Sequence, residues 1–152
     1  PGAPPSPVRK PRSPTCTSCS ETIKKTPLLN IALSQLIASL GHGDMLVIGD
    51  AGLPSQPGVP LIDLALTRGI PGFIDTVNAV LTEMQVEYHL LASELPQHNP
   101  AMAAQVAALA VPDARQVTHE EFKQLSKGAR AIVRTGECSP YANIILVAGV
   151  VF

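Results

Sequence analysis

Apolar residues recur along the chain in two rhythms, one helical and one extended. Leu33, Leu36, Ile37 and Leu40 follow the i, i+3, i+4, i+7 spacing of a single helix face. Asn30 is placed to cap that helix, and Gly41 is expected to end it in a left-handed conformation. Met45 to Ile48 is a short unbroken apolar run flanked by glycines, the pattern of a strand covered on both faces of a parallel sheet. His42 then precedes the strand and Asp50 falls at its carboxyl end, so an imidazole and a carboxylate occupy opposite rims. In open α/β sheets ligands collect outside the carboxyl ends of strands, where loops gather polar groups on a rigid support.

After a loop over 55–60, Ile62, Leu64 and Leu66 alternate with Asp63 and Ala65, which predicts a strand over 61–66. Pro71 suits the first turn of a helix whose inner face is Phe73, Ile74, Val77, Leu81 and Met84. Val86 to Ala92 predicts the next strand. Asn99-Pro100 opens a further helix that carries Met102, Val106 and Leu109 inward, and 111–116 form a link with no assignable period. Thr118-His119-Glu120-Glu121 is a capping box, which sets His119 in the first turn of a short helix ending at Lys127-Gly128. Ala131 to Arg134 predicts a strand, 136–143 a polar loop, and Ile144 to Phe152 a closing strand. This alternation predicts an α/β fold: a three-layer α/β/α domain with a largely parallel, mixed sheet. The antiparallel member is expected where 131–152 return without a helix.

A chain of 152 residues has room for one domain with a core of its own. Aromatic residues make up only 3% and Trp is absent, so stacking on nucleic-acid bases or sugar faces is not expected as a major binding theme. Charge is unevenly spread. Residues 1–27 carry five basic side chains against the single acid Glu21, a net +4, whereas 28–152 carry six basic and eleven acidic, a net −5. An acidic domain has no electrostatic footprint for nucleic acid or an anionic membrane.

Residues 1–22, rich in Pro, Ser, Thr and Arg, are expected to be a disordered tail separate from the domain at 23–152. The tail has neither the apolar run of a secretory signal nor the amphipathicity of a transit peptide, and Ile144 to Phe152 is too short to cross a bilayer as a helix. Cys16 and Cys19 have the spacing of half a zinc site, but no second pair completes it and Cys138 stands alone. Three cysteines without an export signal fit a reducing cytoplasm.

Of the four histidines, His89 and His98 read as packing or surface residues. His42, beside a helix C-terminus, is favoured in its charged form, and His119, at a helix N-terminus, in its neutral form. His42 is therefore expected to titrate above His119, an arrangement by which two groups of one type serve as acid and base. The loop from Arg134 to Asn143 offers a second set of hydrogen-bonding side chains, and its Glu137 is a possible partner of Asp50. Neither a Gly-rich phosphate loop nor a Gly-x-Ser-x-Gly elbow is present.

Five segments together are similar to one known family. Gly41-His42-Gly43-Asp44, Asp50-Ala51-Gly52-Leu53-Pro54, Glu83-Met84-Gln85-Val86-Glu87, Thr118-His119-Glu120 and Gly136 to Ile144 occur in order and resemble the ribose and fucose mutarotase family, covering 23–152. By that likeness Ile23 stands at the family's usual initiator position, so the Pro-rich tail is expected to lie upstream of the native start. The resemblance implies a cytoplasmic, ring-shaped homo-oligomer, typically a decamer of two pentamers, with active sites at subunit contacts. It implies no metal or organic cofactor, and no nucleic-acid or membrane partner. His42 resembles the family's proton donor, Asp50 and His119 its substrate-binding groups, and Tyr141, Ala142 and Asn143 its sugar-binding loop. The implied reaction interconverts β-pyranose and β-furanose D-ribose by acid/base ring opening and closure. A fucose-type mutarotase and a non-catalytic sugar-binding accessory oligomer are the alternatives, the Asp50–Pro54 and Cys138–Pro140 segments favouring the ribose branch.

Overall fold

The sheet is assembled from strands that are far apart in sequence, and its last strand lies near its middle. The computed structural model describes residues 2–3 and 23–152, so most of the expected tail, with its two cysteines, lies outside the described residues. The elements are α1 (Ile31–Ser39), β1 (Met45–Gly49), β2 (Leu61–Asp63), α2 (Phe73–Leu81), β3 (Val86–Ala92), α3 (Leu95–His98), α4 (Pro100–Ala107), β4 (Ala114–Val117), α5 (His119–Ser126), β5 (Ala131–Arg134) and β6 (Ile144–Ala148). The six strands run in the order β2-β5-β1-β6-β3-β4. All neighbours are parallel except at β6, which runs antiparallel to both β1 and β3. The mixed, largely parallel sheet is therefore as the pattern predicts, with β6 as the reversed member.

Alternation along the strands divides the core between two layers. Leu46, Ile48, Ala131, Val133, Ile144 and Leu146 face Leu33 of α1, Phe73, Val77 and Val80 of α2, and Met102 and Val106 of α4. Val47, Ile132, Ile145 and Val147 point the other way, onto Phe122 of α5 and Leu53. Helices thus cover both faces. Phe73 and Phe122 are fully buried, and such a side chain contributes roughly 1.5–3 kcal/mol by leaving water.

Several boundaries differ from expectation. Helix α1 ends in an extended Leu40, and the left-handed glycine is Gly43 (φ 87°), not Gly41, whose N–H instead donates to Asp44 Oδ2 at 2.7 Å. Strand β2 stops at Asp63, because its carboxylate accepts the Ala65 N–H at 3.1 Å and pairs with Arg134, which turns the chain away. Pro71 precedes the Gly72 cap of α2 and does not occupy its first turn; the Ile70–Pro71 peptide is cis. A short helix, α3, precedes Asn99, and the unassigned link contains the edge strand β4. The closing strand ends at Ala148, leaving Val150, Val151 and Phe152 exposed.

Candidate functional site

At the carboxyl rim of the sheet, three segments close on a cavity of about 390 Å³, lined by Asp50, Gly52, Leu53, Pro54, His119, Lys123, Pro140, Tyr141 and Asn143. Such a volume is at the small end of ligand pockets, which run from about 300 to 1,000 Å³.

The Asp50 segment is fixed by the strand it leaves. Beyond β1, the Asp50 carboxylate accepts the Gly52 N–H at 2.9 Å, and the Asp50 backbone N–H donates to Asn143 Oδ1 at 2.9 Å. That contact needs a bare backbone beneath it, since a Cβ on Gly49 would sit 2.8 Å from Asn143 Oδ1 and overlap Leu53. Partial burial raises the Asp50 carboxyl above its ordinary value. Hydrogen bonds from Gly52, the Asn143 side chain and Leu53, with the nearby His119, work against that rise.

The loop before β6 is stapled from inside. Glu137 accepts from the Ser139 hydroxyl at 2.9 Å and from the Phe73 N–H at 3.3 Å, at the start of α2. Its backbone carbonyl accepts the Ala51 N–H at 2.8 Å. The Asp50 and Glu137 segments do meet, but through backbone, with the Glu137 carboxylate spent on its own loop and on the start of α2. Tyr141 takes a left-handed conformation (φ 57°), which sets its ring edge-on to His119 at 5.1 Å and 5.3 Å from His98. Asn143 is 1% exposed, and the Ala142 side chain is in the core.

His119 enters on α5. Thr118 caps that helix through the complete capping box the sequence predicts, making His119 its first residue. The His119 N–H donates to Glu94 Oε2 at 3.0 Å, and its buried Nδ1 has no hydrogen-bond partner among the described residues. The Glu94 carboxylate is held below its ordinary value by its own backbone N–H and then by that of His119, against desolvation.

Of the six residues singled out from sequence, the structure brings Asp50, His119, Tyr141 and Asn143 to one cavity. Ala142, between Tyr141 and Asn143, is fully buried in the core and is not among the residues that line the cavity. His42 is not there. It is exposed at the opposite rim, its Nε2 donating to Glu87 Oε2 at 3.1 Å. The five residues of β1 put on the order of 16 Å between the rims. Sequence reading missed Lys123, which follows His119 by one helical turn and therefore shares its face. The i, i+4 spacing from a capped His119 was the available signal. Among the described residues no three His, Cys, Asp or Glu side chains gather as a metal-binding group.

The cavity offers a carboxylate acceptor, a phenol and an amide that both donate and accept, an ammonium donor, and apolar Leu53 and Pro54. Fold and pocket together define an α/β protein with a small polar cavity at the carboxyl rim of its sheet. The chain belongs to the RbsD / FucU transport protein family, whose profile matches residues 23–151. It is 63% identical over 134 residues to a D-ribose pyranase of Pseudomonas fluorescens strain SBW25, covering 86% of this chain and all of that one. A D-ribose pyranase of Pseudomonas syringae pv. tomato is 57% identical with the same coverage. Among solved structures, Bacillus subtilis RbsD complexed with D-ribose superimposes with a TM-score of 0.82 at 46% identity, covering 86% of this chain and all of that one. The fucose mutarotase of Streptococcus pneumoniae in complex with L-fucose gives 0.66 at 26% identity with equal coverage.

Proposed function

We propose that this protein is a D-ribose pyranase, an intramolecular isomerase that interconverts the β-pyranose and β-furanose forms of D-ribose. The observation that carries this reading is the convergence of Asp50, His119, Tyr141 and Asn143 on one small polar cavity, in a chain 63% identical to a D-ribose pyranase along that protein's whole length. The higher identity to the ribose-bound neighbour than to the fucose-bound one favours ribose.

The reaction opens a hemiacetal. A base takes the proton of the anomeric hydroxyl while an acid protonates the ring oxygen; the open chain then closes through a different hydroxyl with the proton transfers reversed. Positioned acid and base groups each contribute on the order of a hundredfold or more, and no electron sink is required. In this reading Asp50 accepts from sugar hydroxyls, Asn143 and Tyr141 both donate and accept, and the unpaired His119 Nδ1 gains a hydroxyl partner. The Tyr141–Asn143 loop includes Ala142, which contributes its backbone.

His42 is the proton donor of this proposal. Its place on the far rim supports an oligomeric site, in which the His42 of one copy reaches the cavity of a neighbour. A ring-shaped homo-oligomer, a decamer of two pentamers working in the cytoplasm, satisfies that requirement. No helix among the described residues is long and apolar enough to cross a membrane.

Saturation-transfer NMR on D-ribose tests the activity. Accelerated exchange between pyranose and furanose signals is expected, abolished in His42→Ala with ribose binding retained. Exchange of fucose anomers alone would reassign the protein to the fucose branch, and binding without exchange would make it a sugar-binding accessory. Mass measurement in solution counts the subunits.

A further inference from the structure

His42 is gripped by a device that the ring-opening scheme leaves unused. Its Nε2 lies 3.1 Å from Glu87 Oε2, and the two side chains are 58% and 51% exposed within the single chain. A surface pair of this kind could be incidental, but the backbone beneath it is specialised at three points. First, Glu87 is a bulge residue: Val86 pairs with Ala148 and Tyr88 with Val147, so Glu87 is the extra residue of β3. A bulge bends the strand and re-aims its side chain, at a local cost in ladder hydrogen bonds. Second, the residue under Glu87 is Gly149, where a Cβ would lie 3.1 Å from Glu87 Cβ and 3.3 Å from Glu87 N. The Gly149 N–H donates to Gln85 O at 3.0 Å, which closes the bulge from the other strand. Third, the His42 loop is tied to the same strand, because the Gly43 N–H donates to Ala148 O at 2.8 Å and the Ala148 N–H to Asp44 O at 2.8 Å. Arg130 adds a clamp, reaching Asp44 Oδ2 at 2.8 Å and Ser39 O at 3.3 Å.

From this geometry we infer that Glu87 is the positioning residue of His42, selecting the tautomer and the ring orientation with which that histidine acts. A carboxylate only accepts, so the proton between the two groups belongs to Nε2. The neutral ring is then the Nε2–H tautomer, whose bare Nδ1 takes up a proton to form the imidazolium and, as the donor, passes that proton to a sugar oxygen and returns to the neutral form. Fixing one ring nitrogen so that the other is correctly presented is the service a buried aspartate gives the histidine of a serine-protease triad. This inference rests on His42 being the proton donor, and it adds which nitrogen gives the proton and which residue aims it.

Ring-exchange kinetics on D-ribose in the intact assembly test it. Glu87→Ala is expected to lower kcat by about tenfold or more, a part of the hundred- to ten-thousandfold worth of a positioned acid, with KM within about twofold of the parent, since Glu87 acts on the His42 ring and is not among the residues that line the cavity. Glu87→Gln keeps an acceptor oxygen on the ring and is expected to recover part of that loss. Gly149→Ala, which presses on Glu87 without changing it, is expected to lower kcat in the same direction. In the double variant His42→Ala/Glu87→Ala the second change should cost nothing further. The unmodified protein gives an independent reading: nitrogen-15 shifts of the neutral His42 ring should report the Nε2–H tautomer. An Nδ1–H tautomer, or a Glu87→Ala enzyme with unchanged kcat, overturns the inference even where His42→Ala is inactive. Activity surviving in His42→Ala overturns the donor assignment instead.

Discussion

Asp50 and Asn143 are 93 residues apart in sequence and meet at the sheet's carboxyl rim, the N–H of one donating to the side-chain oxygen of the other at 2.9 Å. The bond joins the exit of β1 to the entry of β6, neighbouring strands that run in opposite directions, so two loops on the same rim are held as one surface. Asn143 therefore has two tasks, support of the Asp50 loop and contact with whatever occupies the cavity.

Asn143→Ala leaves the Asp50 N–H without its partner in a nearly closed setting. The expected loss of stability is about 1–3 kcal/mol, read as a lower denaturant midpoint, together with loss of measurable ribose binding by calorimetry. Retained binding with normal stability would contradict the dual role.

Gly49→Ala tests the close approach that makes the bond possible. The new methyl would meet Asn143 Oδ1 at 2.8 Å and overlap Leu53. Overpacking of this kind costs about 1–3 kcal/mol. A lowered melting temperature is expected, along with weakened ribose binding although no cavity side chain has been replaced.

The Asp50 carboxyl titrates above its ordinary value in the folded chain, chiefly because burial disfavours its charge. The folded state then holds more protons than the unfolded state between the ordinary value of 3.8 and the raised one, so this group's contribution to stability falls as pH rises through that window. Asp50→Asn is expected to be at least as stable as the parent at pH 7, with the difference shrinking as the pH is taken down toward 4. Ribose binding is expected to be lost in the variant, and to weaken in the parent on acidification as the carboxylate is protonated. Thermal unfolding and binding, each followed across pH, give the two readings.

Lys123 lines the cavity one turn beyond His119, and its ammonium also lies 3.7 Å from Glu120 Oε1. Lys123→Met keeps the length of the side chain and removes its donor. Ribose affinity is expected to fall about tenfold, the worth of one charge-assisted hydrogen bond of roughly 1.5–3 kcal/mol at its lower end, with the melting temperature within a degree or two. An unchanged dissociation constant would take Lys123 out of the site.

Much of this arrangement is legible in the sequence, for a physical reason. Met45 to Ile48 and Ile144 to Ala148 are covered on both faces, so their apolar character is unbroken, and Thr118 with Glu121 announces the start of α5 by local hydrogen bonds alone. Where tertiary contacts decide, the pattern falls silent. The edge strand β4, Ala-Arg-Gln-Val, is mostly exposed and pairs only with β3, so no burial imposes a period on it. Strand β2 was read three residues too long, because the Asp63 turn depends on Arg134, 71 residues away. Nothing local distinguishes Lys123 from the other cations on helix surfaces; only the placing of α5 beside the Tyr141 loop brings it to the cavity. Four of the residues that the family likeness names, Asp50, His119, Tyr141 and Asn143, line one cavity. The position of His42 on the far rim is a matter of topology, foreshadowed only by its place before β1.

The strand order carries one more consequence, for how the chain comes to be folded. Strand β6 lies between β1 and β3, so it alone joins a half made of β2, β5 and β1 to a half made of β3 and β4. During synthesis every other strand emerges before it, and each half then presents a bare backbone edge awaiting the final segment. Closure is consequently a late event in folding, and a chain cut short before Ile144 should carry two sheet halves with unpaired edges, prone to cross-pairing with other chains.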